Sequence, residues 1–324
     1  MTGQGADADH FAPLPMETNA KGDMRRIGIE VEFSGLCERR VASILQENLG
    51  GDLDDADPHL LFVRGSALGD LEIELDTALG KKKSGGLAGS QVKDLLRGLV
   101  PVEIVTDPLT PDEMARFDAM IPVLREAGAS GSRNGVFLGF GVHLNVEVVA
   151  PADPHTLRTV RAFGLLDPVL RADNGIDVTR RVLPFVNAWP RALVDELVEE
   201  KPDSLELLLD LMDPHVRTRN HALDLLPLMK HALPRLFEAS YPDEHSTKAR
   251  PAFHFRLPDS RINEEGWSLQ EPWEMWRLVE KVAATEQLET LEEAWQDHAH
   301  SGGVLRRESA WVRIASDILG RDTQ

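Results

Sequence analysis

Hydrophobic and polar residues alternate most strictly over residues 26–33, Arg-Ile-Gly-Ile-Glu-Val-Glu-Phe, and this period of two predicts a half-buried strand. Ile27, Ile29, Val31 and Phe33 share one face; Gly28, Glu30 and Glu32 share the other. A helix follows at about 37–49, with Val41, Ile44, Leu45 and Leu49 on one stripe and Gly50-Gly51 at its end. Further strands are predicted at about 70–76, where Leu71, Ile73 and Leu75 alternate with Glu72, Glu74 and Asp76, and at about 101–106, where Val102 and Ile104 oppose Glu103. The Pro108–Pro111 turn leads into a helix at about 112–126. A long strand is expected at about 136–149, with Gly141, His143, Asn145 and Glu147 on one side and Val142, Leu144, Val146 and Val148 on the other.

From about 154 to 238 the apolar spacing is helical, as in Leu205, Leu208, Leu209 and Met212. A last strand near 252–257 sets Phe253, Phe255 and Leu257 against His254 and Arg256, and the C-terminal part is helical again. Strands gather in the first half and helices in the second. The expected class is therefore α+β, a mostly antiparallel sheet with one ligand-bearing face and helices packed on the other. Residues 1–23, aperiodic and rich in Gly, Ala, Asp, Pro and Thr, read as a mobile tail. Residues 24–324 read as a single domain.

The second face of the five strands is unusual. It offers Glu30, Glu32, Glu72, Glu74, Asp76, Glu103, His143, Asn145, His254 and Arg256, and no lysine. Side chains two apart on a strand point the same way, roughly 7 Å apart, so paired carboxylates there repel unless a cation intervenes. An acidic solvated face is the plain alternative. Many oxygen donors with one or two imidazoles suit a hard divalent cation such as Mg²⁺ or Mn²⁺. Structural zinc fits poorly, because there is no cysteine cluster and no HExxH helix. Carboxylates with arginines nearby also match sites that hold ATP phosphates through metals.

Charge and composition narrow the field. With 35 basic and 54 acidic residues in 324, the formal charge is −19, which argues against a general nucleic-acid or acidic-membrane binder. A single cysteine, Cys37, excludes an internal disulfide and fits a reducing cytoplasm. No apolar run approaches the ~20 residues of a membrane span, and the first residues lack a signal-peptide layout. Gly80-Lys81 lacks the rest of a P-loop, no GxGxxG opens a helix after a strand, and no GxSxG elbow occurs.

Five segments in order resemble the amidoligase family, carboxylate–amine ligases that share a catalytic fold with glutamine synthetase and glutamate–cysteine ligase. They are Gly28-Ile29-Glu30-Val31-Glu32-Phe33, Glu103-Ile104-Val105-Thr106-Asp107-Pro108, Gly141-Val142-His143-Leu144-Asn145, Arg219-Asn220 before Leu223–Leu228, and Phe255-Arg256-Leu257 with Asp259-Ser260-Arg261. The resemblance spans roughly residues 25–262. It implies the glutamine synthetase-like catalytic fold, ATP with Mg²⁺ (or Mn²⁺), and amide or isopeptide formation through an acyl phosphate. Small-molecule or peptide carboxylates and amines would be the substrates, with specificity in a helical insertion at about 154–250.

The resemblance implies that Glu30 and Glu32 bind two different metal ions. Glu103 would complete the substrate-side ion, and His143 would share the nucleotide-side ion with Glu30. Asn145 would touch substrate or phosphate and Arg256 the transferring phosphate; one of Glu72, Glu74 and Asp76 is the further carboxylate expected from that region, with Glu74 as the candidate. One departure stands out: His254-x-Arg256 occupies the place where the family usually has Glu-x-Arg, which makes His254 a candidate ligand or an orienting group. Arg133 and Arg261 are candidate nucleotide contacts; a plain turn arginine is the alternative for Arg133, and a structural ion pair with the acidic face is the alternative for Arg256. A metal-dependent hydrolase using the same carboxylates, or a non-catalytic relative that kept the fold, are the competing functions.

Overall fold

A computed structural model of the chain describes residues 11–57, 60–75, 101–132, 139–175, 186–300 and 308–321. Its strands are β1 (Ile27–Phe33), β2 (Asp52–Asp57), β3 (Leu60–Ser66), β4 (Gly69–Leu75), β5 (Val102–Thr106), β6 (Val142–Glu147), β7 (Leu223–Asp224) and β8 (Ala252–Phe255). They form one sheet in the order β2-β3-β4-β5-β1-β6-β8-β7, and every pair with a described register is antiparallel. The class is α+β. By density of internal packing the chain divides into two units, the boundary falling inside β6 between Leu144 and Asn145.

The first unit comprises residues 1–13, 26–144 and 259–273. Its registers bring the alternating sequences into rows. Leu61, Ile73, Ile104 and Val31 follow one another across four strands on one face, all at most 2% exposed. On the other face Glu74, Glu103 and Glu32 stand directly opposite one another. Helix α1 (Glu38–Leu49) packs on β2, β3 and β4 through buried Val41, Ala42, Ile44 and Leu45. The turn between β1 and α1 depends on Gly35: its φ is +91°, and a Cβ there would lie 2.2 Å from the Gly128 carbonyl oxygen.

The helix expected at 112–126 is two, α2 (Pro111–Asp118) and α3 (Met120–Ala127). Pro122 explains the break, since its ring conflicts with the carbonyl four residues earlier, where α2 stops. Thr110 and Glu113 form a reciprocal capping box that starts α2. The hairpin β2–β3 was absent from the sequence expectation. Asp52, Asp54, Asp55 and Asp57 give β2 a composition disfavoured in strands, yet acids on an edge strand also discourage pairing with another chain.

The second unit comprises residues 14–25, 145–258 and 274–324. Helix α4 (Pro154–Asp173) is buried along nearly its whole length and packs with α5 (Arg191–Glu200), α10 (Gln287–His300) and α11 (Glu308–Leu319). Between them lie α6 (Leu205–Met212), α7 (Leu226–Ala232), α8 (Pro234–Ser240) and α9 (Gln270–Ala283). A buried ion pair ties the unit's distant segments: Arg25 donates from both terminal nitrogens to Glu280 at 2.7 and 2.8 Å, Trp276 donates to the same carboxylate at 2.9 Å, and His155 lies 3.2 Å away. Residues 11–23, read from sequence as a mobile tail, include the buried side chains Phe11 and Leu14. Phe11 sits edge-on to Trp273, and Ala20 N–H donates to the Val149 carbonyl. The aromatic anchors are what an aperiodic sequence conceals.

The strand expected at 136–149 is Val142–Glu147, residues 133–138 lying outside the described set. The short β7 was also missed, being two residues inside an apolar run that reads equally well as helix. Among the described residues, no helix is long and apolar enough to cross a membrane.

Candidate metal centre

The row Glu74–Glu103–Glu32 is a direct consequence of strand register. Neighbouring strands lie about 4.8 Å apart, and like charges directly opposite one another destabilise a sheet. Glu72 and Glu30 flank Val105 in the next row of the same face. The acid positions on β1, β4 and β5 therefore converge only because all three strands pair in this register.

His143 enters this carboxylate group from β6. Its Nδ1 lies 2.7 Å from Glu30 Oε2, its Nε2 3.7 Å from Glu32 Oε1, and its Nδ1 3.9 Å from Glu103 Oε1. The imidazole is 5% exposed, and the Glu30, Glu103 and Glu32 side chains are 12%, 14% and 19% exposed, so water does little to relieve their charge. An ionised carboxylate only accepts, so the short contact places a proton on Nδ1 and leaves the Nε2 lone pair on the Glu32 side. This is the arrangement of a metal-ligating histidine, whose second nitrogen donates to a carboxylate that fixes the ring.

Backbone contacts set Glu32 as well. Gly141 N–H donates to Glu32 Oε2 at 2.8 Å, and the Glu32 N–H donates to the Gly141 carbonyl at 3.0 Å. Oε2 is thus engaged while Oε1 faces His143. Two donors each ~2.1 Å from one ion are separated by ~3.0–3.4 Å at right-angled to tetrahedral geometry, so 3.7 Å needs only a slight closing movement. Glu32, Glu103 and His143 each present a ligand atom within 4.8 Å of the others. The residues present fit a hard divalent cation: two carboxylates, an imidazole lone pair, and an orienting Glu30.

Of the other sequence candidates, Glu74 stands beside Glu103 in the same row. Arg261 donates to Glu264 at 2.8 Å and to Glu271 at 2.5 Å, and these acids, Glu264 foremost, hold its guanidinium above the ordinary range. Its described contacts are thus ion pairs within its own segment. Arg133 and Asp76 lie outside the described residues.

Asn145, His254 and Arg256 belong to the second unit. There Asp224 of β7 stands opposite His254 of β8, and Arg219 donates from Nε to Asp224 at 2.9 Å. Arg250 Nη2 lies 3.1 Å and Arg219 Nη2 3.4 Å from His254 Nδ1. Arg256 donates to the Arg219 carbonyl at 2.8 Å. Asp224 and Arg250 went unremarked in the sequence. Asp224 is hidden in the run Leu223–Leu228, and Arg250 precedes a proline in a stretch without periodicity.

A sheet that gathers carboxylates and a histidine on one face gives this α+β protein a candidate cation site. A family model described as "Putative amidoligase enzyme" matches residues 23–278, and the chain belongs to that family. No curated protein and no solved structure matches it.

Proposed function

We propose that the protein is an ATP-dependent carboxylate–amine ligase that makes an amide or isopeptide bond through an acyl phosphate, on a glutamine synthetase-like catalytic fold. The observation that carries this reading is the Glu32–Glu103–His143 group, with Glu30 orienting the imidazole, in a chain of the amidoligase family. A carboxylate is a poor acyl donor until one of its oxygens becomes a phosphate leaving group. In the first step a substrate carboxylate oxygen attacks the γ-phosphorus of ATP, and ADP departs with the electrons of the broken P–O bond. In the second, an amine nitrogen attacks the acyl carbon, phosphate leaves, and the nitrogen loses its proton to give the amide.

Glu32, Glu103 and His143 would hold Mg²⁺ or Mn²⁺, which supplies charge neutralisation for the phosphates. Glu30 keeps the His143 ring in register, and the Gly141 N–H keeps one Glu32 oxygen turned away from its partners. Glu74 adds negative charge beside Glu103. Arg256 is assigned to the transferring phosphate and Asn145 to substrate. Small-molecule or peptide carboxylates and amines are the substrates, and the helical insertion at about 154–250 selects among them.

The test is Mg²⁺- and amine-dependent release of phosphate from ATP over a panel of amino acids and short peptides. The expected result is turnover with at least one pair, abolished in Glu32→Gln. Absence of turnover with every pair, together with absence of nucleotide binding, would overturn the proposal.

A further inference from the structure

The carboxylate-bearing face of the first unit changes character toward β3. There Leu60 stands opposite Glu74 and Phe62 opposite Glu72; Glu72 in turn faces Val105, which stands opposite Glu30. Residues directly opposite on antiparallel strands share a face, so Leu60, Phe62 and Val105 lie on the same side as the candidate cation ligands. All three are half-buried, whereas Leu61 and Val63, on the core side of β3, are at most 2% exposed. Strict alternation would put polar residues at 60 and 62. The chain instead places a leucine and a phenylalanine there, beside Glu74 and Glu72.

Arg64 completes the feature. Its guanidinium carbon lies 3.6 Å above the centre of the Phe62 ring, a face-to-face separation. Nε donates to Asp54 at 3.3 Å and Nη1 to Asp70 at 2.7 Å. A guanidinium seated on a ring and tied at two edges is held as a fixed flat surface. The Arg64 side chain is 42% exposed, so its outer face is open to a ligand. With strands ~4.8 Å apart, Phe62 lies ~10 Å from β5 and ~14 Å from Glu30 on β1. An extended nucleotide has a similar reach from its phosphates to its base. Anchored by its phosphates at the cation centre and lying across β5 and β4, it would bring a flat ring over β3. The carboxylates at the edges of Arg64 accept N–H groups, which suits the amino group of adenine and opposes an anionic ligand. We propose that Arg64, positioned by Phe62, is the shelf on which the base of ATP stacks. This deepens the ligase reading and rests on it for the identity of the nucleotide.

The test is calorimetry on the full chain in saturating Mg²⁺ with two probes. One is the non-hydrolysable β,γ-methylene analogue of ATP; the other is tripolyphosphate, which keeps the phosphates and lacks the base. The parent should bind the nucleotide more tightly than tripolyphosphate. Arg64→Ala and Phe62→Ala should each weaken the nucleotide about 5- to 150-fold and leave tripolyphosphate within about twofold, as loss of one stacked base requires. Arg64→Lys keeps the charge without the plane and should behave as Arg64→Ala does. Phe62→Trp keeps a ring under the guanidinium and should hold nucleotide affinity within about threefold of the parent. A parent without preference for the nucleotide, equal losses with both probes, or full nucleotide affinity in Arg64→Ala would each overturn the shelf. A variant that unfolds loses both probes alike, and Arg64→Lys and Phe62→Trp then decide. Failure of the ligase reading alone would appear differently, as absent ATP turnover with every carboxylate and amine while the Arg64 variants still separate the two probes.

Discussion

Glu103 has a carboxylate directly opposite on each side, Glu32 on β1 and Glu74 on β4. Replacing it with Gln removes two like-charge contacts and one cation ligand. Charges ~6 Å apart repel by ~3 kcal/mol at an effective dielectric of 20, and partial exposure cuts this to ~0.5 kcal/mol per neighbour. Without divalent cations, at pH 8 where imidazoles are ordinarily neutral, Glu103→Gln should be about 1 kcal/mol more stable than the parent. With cation the order should reverse. At a concentration 100 times the parent's Kd, binding adds ~2.7 kcal/mol to the parent. If the variant binds ~100-fold more weakly, it gains only ~0.4 kcal/mol, and the parent leads by ~1.3 kcal/mol. Urea denaturation with EDTA and with Mn²⁺ measures both states. A variant less stable than the parent in EDTA would refute the claim that the row is held under repulsion. An order that does not reverse with Mn²⁺ would refute the cation site.

Glu30→Gln should weaken Mn²⁺ binding by ~10- to 100-fold, because the substitution removes the acceptor that orients His143; isothermal calorimetry reads this directly. Breaking the buried Arg25–Glu280 pair by Arg25→Met should cost about 3–5 kcal/mol in urea unfolding, since Glu280 would be left buried and charged. Burial alone would raise the Glu280 carboxyl, but hydrogen bonds from Arg25 and His155 outweigh it and hold the group below its ordinary range. A lowered acid stabilises above the unfolded value of about 4.3 and loses that contribution as pH falls through the folded value, so the Arg25→Met deficit should shrink only under acid. Gly35→Ala should destabilise by about 2 kcal/mol or more, from the left-handed φ and the 2.2 Å approach to the Gly128 carbonyl; a thermal midpoint unchanged from the parent would contradict the turn geometry.

Period-two alternation in β1, β4 and β5, and helical spacing in α1 and most of the second half, were legible because each element must bury one face. The same alternation put Glu30, Glu32, Glu74 and Glu103 on the faces opposite the core, and the order of five motifs pointed to the family that the chain belongs to. Strands disguised by composition or length were not legible: β2 by its aspartates, β7 by its two residues. Nor could a local pattern show that Phe11 and Leu14 would be buried.

Sequence by itself determined which residue types lie on the polar face of each strand, because a strand's side-chain period is a local property. Tertiary structure alone decided which of them meet, because strand order and register are set by contacts between segments far apart in the chain. That is why Glu103 and Glu74 join Glu32 in one row and His143 turns its Nδ1 to Glu30. It is also why His254, chemically the same side chain as His143, presents its Nδ1 to two guanidiniums instead of a carboxylate. An imidazole's role is fixed by the partner of each nitrogen, and those partners come from the fold.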